Sequence, residues 1–247
     1  MKLFKIIEKL EEFAPPELKE EWDNVGLMLG NPKAEIKSAV VTLDVTEEAV
    51  SFAINNGCNL IVSHHPFIMS GLKAIDCQTI KGELIEKLIK NDIAVYSMHT
   101  NFDSAEGGVN DALSEILELK NVEICGMIRK GETKETTFKD FIDYIKEKLN
   151  ASYVCYTGDL NKKIRRIAVC GGGGGSFIPN CLDCDVYLTG EAKYHEYQTA
   201  CENGVAIISA GHFETENITL YKIRELLENI GITVKDGDIH RSFMNII

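Results

Sequence analysis

No apolar run in this 247-residue chain approaches the roughly 20 residues needed to cross a bilayer. The amino-terminal stretch MKLFKIIEKLEEF is amphipathic and mixed in charge, so it lacks the uninterrupted apolar core of a secretory leader. Basic residues are in deficit: 26 Lys and Arg against 38 Asp and Glu give a net charge of −12. An overall nucleic-acid footprint is therefore missing, and only a local basic patch is left open. Low-complexity segments and fixed-period repeats are absent as well. These absences predict a soluble, cytoplasmic protein without membrane contact.

What is present is an ordinary globular balance, 45% hydrophobic and 26% charged, in a chain long enough to bury a core without cross-links. The eight cysteines are embedded in apolar segments such as YVCYTG and IAVCGG. That placement predicts reduced, buried thiols rather than a disulfide framework. Cys181 and Cys184 have CxxC spacing, but no second pair completes a zinc site.

Six short β-branched runs read as strands buried on both faces: 38–45, 59–63, 93–98, 166–170, 185–190 and 205–210. Between them, 46–57, 81–92, 108–120, 137–150 and 214–231 carry apolar residues at helical spacing. The alternation predicts an α/β fold with mixed, largely parallel sheets. The rhythm breaks at LKNVEICGMIRKGETKET, so two α/β domains are expected, 1–125 and 126–247, with the C-terminal segment free to return to the first.

Four of the six histidines follow predicted strands. His64 and His65 follow LIVS, His99 follows IAVYSM, and His212 follows VAIISAG. In open α/β sheets that edge is where ligands bind. Pro66 has no N–H and restrains His65 to extended backbone, so regular alternation ends there and both rings can face one cavity. Two of the sites also pair a histidine with a carboxylate four residues on: His99 with Asp103, and His212 with Glu216. In a helical first turn these lie on one face. Up to four imidazoles and two carboxylates are too many for one structural zinc and suit a two-metal site. Mixed nitrogen and oxygen donors match zinc, iron, manganese or cobalt. Two divalent ions outweigh two carboxylates and a hydroxide, so such a centre stays attractive to anions. Taken singly, any one of these histidines reads first as a hydrogen-bonded core residue or a helix cap; it is the grouping at strand ends that points to metal.

At these residues the chain resembles the Nif-three-like dinuclear metal-centre proteins, also called GTP cyclohydrolase I type 2 homologues. The matching segments are EEWDNVGLMLG, VSHHPF, HTNFD, CGGGGGSFI, DVYLTGEAKYHE and SAGHFETE, in that order over most of the chain. The resemblance is to the short form, without the extra central domain. It implies two similar three-layer α/β domains with the metals in the cleft between them, and a homohexameric toroid. It also implies His64, His65, Asp103, His212 and Glu216 as ligands of two divalent ions, the carboxylates bridging, with His99 in a supporting position. The implied activity is metal-dependent hydrolysis of a nucleotide or phosphorylated small molecule.

Other features bear on that activity. Gly172, Gly173 and Gly174 follow a strand and can form an anion nest for phosphate, although the Walker lysine is missing. His195 is a candidate general acid and Lys193 a candidate phosphate partner. Trp22, Asp23 and Asn24 either line the site or pack in the core. The rival to a hydrolase is a non-enzymatic metal-binding ring that scaffolds a protein or nucleic-acid partner.

Overall fold

In the computed structural model, which describes residues 1–237 and 239–244, the chain forms two compact α/β units. The first comprises Met1–Glu106 and Leu220–Arg241; the second comprises Gly107–Thr219 and the described residues from Ser242. Among the described residues, no helix is long and apolar enough to cross a membrane.

The first unit contains α1 (Leu3–Phe13), β1 (Gly26–Leu29), β2 (Ser38–Thr42), α2 (Glu47–Asn55), β3 (Leu60–Ser63), α3 (Ile80–Lys90), β4 (Ala94–Ser97) and α4 (Thr100–Ser104), and later α9 (Tyr221–Asn229) and β11 (Thr233–Val234). Its five-stranded sheet has the order β1-β4-β3-β2-β11. All pairs are parallel except β1 with β4. The three central strands are buried at every position, as their continuous apolar runs require. Thr46 and Thr79 start α2 and α3 by accepting hydrogen bonds from the Ala49 and Gly82 amides. The apolar faces of these helices, Ala49, Val50 and Ala53 on one and Leu84, Ile85 and Leu88 on the other, pack on Val40, Ile61 and Val95. Each fully buried aliphatic side chain contributes roughly 1.5–3 kcal/mol.

The second unit contains α5 (Val109–Ile116), β5 (Lys120–Cys125), β6 (Ile128–Thr137), α6 (Phe138–Lys148), β7 (Cys155–Thr157), β8 (Lys163–Cys170), β9 (Val186–Thr189), α7 (Tyr194–Glu202), β10 (Ala206–Ser209) and α8 (His212–Glu216). Its six strands run β5-β6-β8-β9-β10-β7. Only β8, β9 and β10 are mutually parallel; the outer pairings are antiparallel. Alternation along these strands sorts side chains into two cores. Ile167, Val169, Leu188 and Ile208 face α6, whereas Ala168, Cys170, Tyr187 and Ile207 face the layer holding Ile178 and Ala200.

Several features differ from expectation. The stretch 120–137, expected as an irregular boundary, is a hairpin whose outer strand is exposed throughout. The division between units falls at 106/107, ahead of the expected 125/126, because Leu113 and Leu117 of α5 belong to the second core. The helix expected over 214–231 is broken: α8 ends at Glu216, a 3₁₀ turn covers Asn217–Thr219, and α9 starts at Tyr221. There the chain returns to the first unit, where β11 pairs with β2.

The cysteines divide evenly. Cys58, Cys170, Cys181 and Cys184 are buried, while Cys77, Cys125, Cys155 and Cys201 are exposed, against the expectation that all are buried. All eight are free thiols. Burial pushes the Cys181 thiol up to about 12, and Cys184 is also raised, so this CxxC pair stays protonated within an apolar cluster.

Candidate metal centre

In the first unit, β2, β3 and β4 run parallel and so deliver their next residues to one edge of the sheet. Those residues are Asp44, the His64–His65 pair and His99. Pairing with β2 persists past β3: the His64 amide donates to Thr42 O (3.0 Å) and the His65 amide to Leu43 O (2.9 Å). Successive amides of a regular strand point to opposite sides. Two in a row bonding to one neighbour means alternation is already lost, one residue before Pro66. Both rings accordingly lie together, with centroids 5.2 Å apart.

The three imidazoles share one arrangement. His64 Nδ1 is 2.8 Å from the Met98 carbonyl oxygen, His65 Nδ1 is 2.8 Å from Asp44 Oδ1, and His99 Nδ1 is 2.8 Å from Asp23 Oδ1. Each of these oxygens accepts from Nδ1–H, which in a neutral ring puts the lone pair on Nε2. This is how metal-ligating histidines are commonly oriented. One ring nitrogen from each of His64, His65 and His99 falls within 4.8 Å of the others. His99 thus stands with the other two. It also accepts the Asp103 amide at its carbonyl (3.0 Å), which starts α4 and holds Asp103 buried with Oδ1 3.6 Å from His64 Nε2.

Asp23 organises this edge. Its buried carboxylate accepts from His99 Nδ1, from the Thr100 amide (3.0 Å) and from Thr100 Oγ1 (2.5 Å). Burial works against its ionisation, but the His99 and Thr100 hydrogen bonds outweigh it and hold the carboxyl at about 2, below the ordinary 3.8. A lowered folded value gives stability that is present above the ordinary value and lost as pH falls from about 4 toward 2, here about 2 kcal/mol. Asp23→Asn is expected to remove that slope from urea melts taken across this range. An unchanged slope would show that Asp23 does not carry it.

In the second unit, β8, β9 and β10 end together and lead into Gly171, Gly190 and Gly211. Gly211 has φ +98, and a Cβ there would lie 1.9 Å from Glu214 Oε2. It launches α8, on which His212 and Glu216 face each other, with Nε2 to Oε2 at 3.1 Å. Glu191 Oε2 lies 3.4 Å from His212 Nδ1. The glycine run passes directly against this pair. Gly172 is buried at φ +61, and a Cβ on it would lie 1.9 Å from Glu216 Oε1.

Of Gly172, Gly173 and Gly174, expected as a phosphate nest, Gly172 has its amide engaged within the chain, as do the flanking Gly171 and Gly175. The Gly171 amide donates to Asn110 Oδ1 (2.8 Å), Gly172 to Thr215 Oγ1 (3.0 Å) and Gly175 to Glu191 O (3.1 Å). Gly172, Gly174 and Gly175 are required here by close approach of the loop to Glu216, Thr189 and Glu196, whereas a Cβ on Gly173 would meet nothing. Gly173 does border a cavity of about 390 Å³ that is also lined by Ser176, Glu191, Lys193, Tyr197 and Ser209. Lys193 therefore faces a space of small-molecule size. His195 does not line it and is exposed on the first turn of α7. Trp22 is exposed rather than packed in the core.

Sequence reasoning missed residues that hold the rings, Asp44 and Met98 in the first unit and Glu191 in the second, and it missed Thr215, which anchors the Gly172 amide beside them. Asp44 follows a strand at the same edge as the histidines, which was a usable signal. The Met98 contact is made by a carbonyl, which every residue has.

The donor set suits a divalent transition ion, with Nε2 lone pairs and carboxylate oxygens grouped at the strand ends of each unit. The chain is thus an α/β protein carrying candidate metal-ligand groups. The Duf34/NIF3 (NGG1p interacting factor 3) family model matches residues 1–242, and the chain belongs to that family. A Clostridium perfringens protein named GTP cyclohydrolase 1 type 2 homolog is 40% identical over 237 residues, covering 91% of this chain and 90% of that one. A Schizosaccharomyces pombe protein named NIF3 homolog is 35% identical, covering 87% and 84%. Among solved structures, a Staphylococcus aureus protein superposes with a TM-score of 0.94 at 29% identity, covering 100% and 99%. Reduced HcgD from Methanocaldococcus jannaschii gives 0.82 at 31%, covering 95% and 96%.

Proposed function

We propose that this chain binds two divalent transition ions through His64, His65, Asp103, His212 and Glu216, and hydrolyses a nucleotide or another phosphorylated small molecule. The observation that carries this is the grouping of His64, His65 and His99 with every Nδ1 held by an acceptor. Ligating histidines are commonly held through the ring N–H that faces away from the metal, and all three rings have such an acceptor. Bound there, such ions supply Lewis acidity and a water that ionises near neutral pH. Asp44 and the Met98 carbonyl keep the rings in their binding orientation. Asp103 and Glu216 supply negative charge that tempers, without cancelling, the charge of the ions. Lys193 offers a cation at the cavity to balance a phosphate. The names of the curated relatives support a nucleotide, and the family resemblance extends the proposal to a cytoplasmic homohexameric ring.

The test uses metal-reconstituted protein and a panel of nucleotides and phosphate esters, with His65→Ala as the control. Metal-dependent turnover of at least one compound is expected, absent from the variant. Ring opening would change the ultraviolet absorption of the base, whereas phosphate release would not. No metal-dependent turnover across the panel would sink the hydrolase.

A further inference from the structure

The side chain that the account above leaves unused is Trp22. It is the only tryptophan in the chain and is 63% exposed. Its ring meets His99 edge-on, with centroids 5.9 Å apart and planes at 76°. His99 in turn lies 5.2 Å from His64 and 5.6 Å from His65, centroid to centroid. An open indole therefore stands one ring away from the grouped Nε2 atoms.

The indole is held in place by its neighbours. Asp23, the next residue, is tied to His99 and Thr100. The Glu20 amide donates to Thr100 Oγ1 (2.9 Å), Lys19 Nζ to Asp23 O (2.7 Å), and Asn24 Nδ2 to Ile68 O (2.5 Å). The segment carrying Trp22 is fastened both to α4 and to the loop that follows the paired histidines. An exposed indole on a fixed backbone has little orientation to lose when a planar ligand stacks on it.

We infer that Trp22 is the stacking platform for the base of a nucleotide, so that the base, rather than the phosphate end, is presented to the histidine group. This rests on the nucleotide reading of the site. Stacking is tolerant of which base is bound but demands an aromatic face. A bare phosphate ester offers none, so the platform favours chemistry on the base over phosphate release.

The experiment titrates guanosine, GTP and inorganic tripolyphosphate into the metal-loaded protein while following Trp22 emission. Guanosine and GTP should quench it and tripolyphosphate should not. By equilibrium dialysis, Trp22→Ala should bind GTP roughly tenfold more weakly, about the worth of one stacked base, and Trp22→Phe should bind nearly as well as wild type. Metal content and molecular mass should be unchanged in both variants. The inference is overturned if guanosine leaves the emission unchanged or if Trp22→Ala binds GTP as wild type does. It is equally overturned if that variant changes its mass, which would make the indole a contact between copies. Quenching by guanosine without turnover of any nucleotide would defeat the hydrolase reading alone. Full turnover with unaltered GTP affinity in Trp22→Ala would defeat the platform alone.

Discussion

His65→Ala is expected to lose at least one of two bound ions and all metal-dependent turnover. The ring is placed by Asp44, whose Oδ1 is 2.8 Å from His65 Nδ1, so a graded counterpart exists. Asp44→Ala removes the orienting acceptor and keeps the ligand. It should weaken metal affinity by about 10–100-fold, the usual cost of losing such a partner. Competition with a chelator measures both variants. The order wild type, Asp44→Ala, His65→Ala in affinity is the prediction; His65→Ala with wild-type metal content would contradict it. Neither change opens a core, so thermal melts of the metal-free variants should stay close to those of metal-free wild type.

Gly172→Ala is expected to disable the His212–Glu216 pair proposed as ligands. The methyl group would land 1.9 Å from Glu216 Oε1, and Glu216 is only 4% exposed, so its carboxylate has little room to retreat. The left-handed φ of +61 adds strain of about 1–2 kcal/mol. Gly204→Ala is the control: its φ is +74, with nothing within 4 Å of a Cβ. Both variants should lose stability to backbone strain, Gly172→Ala more because of the added clash, and only Gly172→Ala should lose metal. Equal metal content in the two would mean that the glycine run does not govern Glu216.

Much of the fold was legible because burial on both faces leaves a plain trace. SAVVT, LIVS and AVYS are buried at every position and apolar except for small hydroxyl residues at their ends, and each is a central strand. The hairpin at 120–137 left no such trace, since its outer strand is exposed at all six positions and carries charge. The break after Glu216 was hidden for another reason. No glycine or proline interrupts ETENITLYKIRELLEN, and the apolar spacing runs on while the chain changes units. Strand β11 has two residues and was too short to register.

At the site, placement was more legible than support. Histidines at strand ends were visible, as were carboxylates four residues on. What positions them comes from partners distant in sequence: Asp23 lies 76 residues from His99, and Asp44 lies 21 from His65. Spacing cannot show such pairs. The glycine run was read as a flexible turn or an anion nest, whereas the structure shows what a side chain at Gly172, Gly174 or Gly175 would strike.

The most direct test is elemental analysis of protein purified without added metal, combined with reconstitution of the metal-free chain. Two transition-metal ions per chain are predicted, falling to one or none in His65→Ala and in Glu216→Ala. Fewer than one ion per chain in the wild-type protein, with none taken up on reconstitution, would contradict the account.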